Sequence, residues 1–269
     1  YSEGKEVTIF ARWEEDIYSL AYISAGDPFI FYDSYGGTVV ALDSRNHLYI
    51  WGNTETFLET KYELSPMDIT DLIPLNSNES IIDVSIGQQY MMLLTDTHRV
   101  LAWGMNNSGV LGDGTTVSSY IPIDITNMFS LASGDYISNI TIDGISSFAI
   151  SSSNRVFAWG YNRSGDLGDG TNQRRSTPTE ITNQFNLASG DVVEKIYNHY
   201  DMSFATTKNG KVYSFICFAL TVISFAVAKD FNFSKVGILS LYLSKFCSNK
   251  NKISSKSFSD GCCTRESKT

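Results

Sequence analysis

The chain is built from short apolar runs broken by polar turns. Ser147–Ile150 and Arg155–Trp159 flank the turn Ser151-Ser152-Ser153-Asn154, the pattern of two antiparallel strands joined by a tight connection. The same figure recurs around Asp43-Ser44-Arg45-Asn46, Thr95-Asp96-Thr97-His98 and Thr207-Lys208-Asn209-Gly210. In the second strand, alternation places Val156 and Ala158 on one face and Phe157 and Trp159 on the other, so both faces are apolar. A strand buried on both sides belongs to a sheet sandwiched between other sheets, which predicts several small sheets packed face to face around a common centre. The tryptophan strand is expected on the inner side, with Ala102 and Ala158 where the taper leaves little room. Gly104 and Gly160 are expected to turn the backbone directly after the tryptophan.

These hairpins sit inside a longer repeat. At an offset of 56, Trp103-Gly104 returns as Trp159-Gly160, and Asn106–Asp135 matches Asn162–Asp191 at 18 of 30 positions. The shared residues include Gly112 and Gly114 with Gly168 and Gly170, and Pro122 with Pro178. An older copy lies at Trp51-Gly52, where Pro66-Met67-Asp68-Ile69-Thr70 echoes Pro122-Ile123-Asp124-Ile125-Thr126. A further copy starts at Asn209–Phe215, but Ile216 stands where glycine is expected, so the array is expected to end there. The repeat region is therefore placed at 1–215 and a discordant tail at 216–269.

A hairpin ending Ala-Trp-Gly, then Asn-x-x-Gly-x-Leu-Gly-x-Gly, then proline resembles the RCC1 (regulator of chromosome condensation) repeat family. The resemblance covers about residues 20–215 and is strongest over Met91–Asp135 and Ser147–Asp191. It implies an all-β fold, an incomplete β-propeller whose blades have about four antiparallel strands. About three and a half repeats fall short of a ring, so the sequence reads as part of a longer protein, a truncated product, or copies that self-associate to complete the circle. The longer loop through Pro178–Leu187 is most similar to the long-repeat bacterial variety. Family members serve as a nuclear exchange factor for a small GTPase, as modules of ubiquitin ligases, as an inhibitor of secreted β-lactamases and as bacterial surface proteins.

Charge narrows the partners. Residues 1–215 hold 12 basic and 26 acidic side chains, a balance of −14, whereas 216–269 balance at +5. An acidic repeat region is repelled by phosphate backbones, which disfavours nucleic acid as a partner. All four cysteines (Cys217, Cys247, Cys262, Cys263) fall in the tail, without the spacing of a zinc knuckle. The tail opens with the apolar run Phe215–Ala228, shorter than the about 20 residues of a membrane span, and continues rich in Ser and Lys. It is expected to be weakly ordered; a read-through, a frameshifted end and a membrane anchor are alternatives. The compartment stays open between cytoplasm and a bacterial cell surface or secretion.

Candidate chemistry is sparse. Asn162, Ser164, Asp166 and Asp169 offer closely spaced oxygens, but counting from Asn162 puts Leu167 and Gln173 where a calcium loop needs glycine and glutamate. Turn formation is the better account of these loops. No Gly-Lys-Ser/Thr follows the glycines, so a phosphate cradle is not supported. His47, His98 and His199 are far apart, and the first two are expected to be solvated hairpin residues. No catalytic residue, metal or cofactor is expected. Trp51, Trp103 and Trp159 are expected in the core. Contact candidates are loop residues that differ between the two strong copies and are tyrosine or arginine: Tyr120, Tyr161, Arg163, Arg174 and Arg175. The expected role is a protein-interaction scaffold. Guanine-nucleotide exchange on a small GTPase and a bacterial adhesive module are the alternatives.

Overall fold

A computed structural model describes residues 30–33, 37–58, 62–87, 89–199, 202–216 and 219–223. They form four antiparallel sheets, each of four strands in chain order. The first holds β1 (Ile30–Asp33), β2 (Thr38–Leu42), β3 (Leu48–Asn53) and β4 (Tyr62–Asp68). The second holds β5 (Ile81–Ile86), β6 (Tyr90–Thr95), β7 (Val100–Gly104) and β8 (Ser119–Asp124). The third holds β9 (Ile137–Asp143), β10 (Ser146–Ser151), β11 (Val156–Gly160) and β12 (Arg175–Glu180). The fourth holds β13 (Val193–His199), β14 (Met202–Thr207), β15 (Val212–Ile216) and β16 (Ala219–Ile223). This is the incomplete propeller that the repeat predicts.

The strands that touch from sheet to sheet are β1 with β5, β5 and β6 with β9, and β9 with β13. The first strand of each blade therefore lies nearest the centre, and the tryptophan strands β7 and β11 stand third from it. The inner placement expected for them is corrected. Ala102 and Ala158 are fully buried because both faces of their strands are covered, not because of a taper. Prolines 66, 122 and 178 fall on the fourth strands, whose outer edges need no ladder donor.

The two-faced reading of the hairpins holds. Phe157 and Trp159 pack with Tyr90, Met92, Val100 and Ala102 of the second blade, while Val156 and Ala158 pack with Ala205 and Tyr213 of the fourth. Leu101 and Trp103 likewise face the first blade. Each blade thus turns its tryptophan face backward and its alanine face forward, which makes consecutive copies interlock. Trp103 and Trp159 are 3% and 0% exposed. Trp51 is half-buried, a correction to its expected place in the core.

Each turn between the second and third strands of a blade ends on a left-handed residue, namely Asn46, His98, Asn154 and Gly210 with φ of 69, 66, 63 and 77°. This is the three-residue connection in which a bulge follows a tight turn. The segment assigned to the tail also contributes: Ala219–Ile223 pairs with β15 as the outer strand of the fourth blade. Residues 224–269, and with them Cys247, Cys262, Cys263 and the Ser/Lys-rich end, lie outside the described residues, as does Cys217.

Candidate functional site

The glycine loops are held by one buried asparagine each. Asn162 directs its side-chain amide to Asp169 Oδ1 at 3.0 Å and to the carbonyls of Thr171 and Gln173, while Leu167 N–H donates to its Oδ1. Asn106 repeats this with Asp113, Thr115, Val117 and Leu111. Of the oxygens that suggested a calcium loop, those of Asn162, Asp166 and Asp169 accept hydrogen bonds that shape the turn. Among the described residues no cluster of three His, Cys, Asp or Glu side chains is placed to hold a metal.

A second repeated device ties each turn to the strand before it. Arg99 bridges Glu79 at 2.7 Å and Asp124 at 2.8 Å and donates to the Pro74 carbonyl. Arg155 bridges Glu180 at 2.6 Å, lies 3.8 Å from Asp135 and donates to the Ser130 carbonyl. Burial alone would raise the Asp135 carboxyl, but hydrogen bonds from Ser153, Ser152 and Ser151 hold it well below the usual carboxylate range. Asp191 receives the Thr207 hydroxyl and the Asn209 amide in the same way. Sequence reasoning missed these anchors, although Glu79, Asp135 and Asp191 recur at the repeat offset and could have been found by it.

The five predicted contact residues separate. Arg175 grips Asp169 through Nε at 2.8 Å and Nη2 at 2.7 Å and so clamps the loop. Burial pushes the Asp169 carboxyl up, and the hydrogen bonds of Thr171 and Arg175 outweigh it and leave it lowered. Arg174 reaches across the seam to the Asn107 carbonyl at 2.7 Å. Tyr161 is half-buried beside Ser146, whose hydroxyl donates to its carbonyl. Tyr120 is 54% exposed on β8, next to Ile121 at 71%, with Val117 just ahead at 72%. Arg163 is exposed on the loop of the third blade. Tyr120 and Arg163 therefore stand on different blades.

The histidines also separate. His98 is not solvated: its ring stacks on Tyr136 of the next blade, with centroids 3.6 Å apart and planes 18° apart. Its Nδ1 is buried without a hydrogen-bond partner. His47 sits half-exposed between Asp43 and Asp68, 3.7 and 3.8 Å away. His199 lies on β13, and its side chain is outside the description.

These features define an array of interlocked propeller blades that displays loops and outer strands. The model for the regulator of chromosome condensation (RCC1) repeat matches residues 97–138 and 153–194, and a second RCC1 repeat model matches 81–110. Residues 81–138 and 153–194 thus match the RCC1 repeat. The chain is 29% identical over 101 residues to the RCC1 domain-containing protein RUG3, mitochondrial, of Arabidopsis thaliana, which covers 38% of this chain and 22% of that relative. Among solved structures it is similar to human WBSCR16 (TM-score 0.58, 17% identity, 70% of this chain and 51% of that one). It is also similar to Prp20p of Saccharomyces cerevisiae (TM-score 0.53, 21% identity, 66% and 41%). The chain thus spans about half or less of the length of these proteins, and the structural likeness speaks to the fold.

Proposed function

We propose that this chain is a protein-recognition scaffold that engages its partner through the outer strand and loops of its blades, with no chemistry, cofactor or metal of its own. One observation carries this reading. Val117, Tyr120 and Ile121 are exposed on the second blade, whereas the matching positions of its near-copy are Gln173, Ser176 and Thr177. A large apolar residue kept on the surface of one repeat and absent from the next serves contact better than packing. The solved Prp20p is described by its binding to Gsp1p and histones, which supports a protein partner for an RCC1-type surface. The acidic charge of residues 1–215 argues against nucleic acid as the ligand.

Cross-linking at position 120 to a captured partner, followed by Tyr120→Ala and Ile121→Ser, tests the reading. Binding should fall about tenfold or more while the fold is retained; unchanged binding contradicts it. The resemblance to the RCC1 repeat family carries nucleotide exchange on a small GTPase as the second reading. Accelerated nucleotide release from a panel of small GTPases supports that reading over a pure scaffold. Hits on a glycan array would favour an adhesive module.

A further inference from the structure

The three seams between blades are not closed alike. At the first, the Asn46 side chain accepts the Ile81 N–H at 2.8 Å. At the second, His98 stacks on Tyr136. At the third, Asn154 takes the place of Asn46 and His98 in the turn, and Val192 takes the place of Tyr136. The plug is missing, and a cleft of about 440 Å³ opens there, lined by Tyr136, Asn139, Asn154, Val192, Glu194 and Lys208 among others. That volume falls within the roughly 300–1,000 Å³ typical of ligand pockets.

The walls are chemically unspent. The side chains of Asn139, Asn154, Glu194 and Lys208 make no hydrogen bond or ion pair among the described residues. By contrast, Ser151 and Ser152 beside them are engaged with Asp135. Glu194 sits at a β-bulge that recurs at Ile82 and Ser138 in the two preceding blades, so the bulge belongs to the repeat, and only here does it carry an acidic residue.

We infer that this third seam, open where its repeats are plugged, is a binding cleft for a short extended polar segment of a protein partner. Each free amide offers one donor group and one acceptor, the complement of a peptide bond. Glu194 and Lys208 carry opposite charges, which match a segment bearing one basic and one acidic residue and do not match a polyanion. Val192 and Ile150 supply apolar floor, as in pockets that orient a ligand through few polar groups. The inference rests on the protein-recognition reading but uses a surface separate from Tyr120.

Selection of a random 12-residue peptide library on the full chain tests it. The selected peptides should carry a basic and an acidic residue. Their affinity should fall about tenfold with Glu194→Lys or Lys208→Glu, and disappear with Asn154→His plus Val192→Tyr, which rebuilds the plug of the second seam. That pair repeats an arrangement the chain already folds with, and near-ultraviolet circular dichroism checks that the fold is kept. Peptides that bind all these variants undiminished overturn the cleft; if Tyr120→Ala then weakens them, the scaffold reading survives. Failure to select any peptide, or glycan-array binding lost in the same variants, also overturns it.

Discussion

The indole Nε1 of Trp159 donates a 2.8 Å hydrogen bond to the carbonyl oxygen of Val110, which belongs to the preceding blade. The same carbonyl accepts the Ser147 hydroxyl at 2.9 Å, and Ser147 also meets the Tyr90 hydroxyl at 3.2 Å. The most recognisable residue of the repeat is therefore an interblade latch as well as a core side chain. Trp159→Phe should lose the about 1 kcal/mol of one hydrogen bond plus a smaller cavity term from the lost part of the ring. Trp159→Ala should lose about 3–5 kcal/mol, since a large buried ring leaves a cavity. Urea unfolding compares both with wild type; a Trp159→Phe variant as stable as wild type would contradict the latch.

Gly112 is shaped by its neighbour's tryptophan. Its φ is +79°, and a Cβ there would lie 2.7 Å from Trp159 Nε1. Gly134 has a similar φ of +82° with nothing within 4 Å. Gly134→Ala should cost only the left-handed backbone penalty of about 1–2 kcal/mol. Gly112→Ala should cost clearly more, by displacing the ring. Thermal midpoints of the two variants decide the matter.

Asn162 is fully buried and serves the whole glycine loop. Asn162→Leu removes its bonds and leaves the Leu167 amide without its acceptor, so about 2–3 kcal/mol should be lost. Backbone amide exchange should speed up across 165–173 and stay slow in β10. Uniform exchange changes would contradict a loop-centred role.

Acid should loosen the blades from their turns. Burial pushes the Glu79 carboxyl up, but bonds from the Asn76 amide, Thr95, Thr97 and Arg99 bring it from 4.5 down to about 2. Its folded form binds fewer protons than its unfolded form. The stability it contributes is therefore complete above about pH 4.5 and is lost as pH falls toward 2. Asp135, Asp43 and Asp124 are lowered as well and act in the same direction. Glu79→Gln should be less stable at neutral pH and show a shallower loss on acidification. An acid profile identical to wild type would contradict the assignment.

The hairpins and their two apolar faces were legible because strand alternation and the 56-residue offset are both local signals. The order of strands from the centre was not, since Val156 and Ala158 look alike in a strand covered on both faces wherever it stands. The ion pair of Arg175 was hidden for a related reason: a loop arginine reads as free until the turn folds it back onto Asp169. The fourth strand of the last blade escaped the motif because backbone pairing needs no conserved side chains. Ala219–Ile223, with Thr221, Val222 and Ile223, simply suits a strand. The cleft at the third seam became visible only when Asn154 and Val192 were placed opposite each other.

Nuclear Overhauser spectroscopy of the Trp159 indole proton tests most directly whether consecutive blades interlock. Interlocked blades predict a strong cross-peak to the α-protons of Gly112 and slow exchange of the indole proton with water. An indole proton that exchanges freely and shows no contact with residues 110–112 would contradict the account.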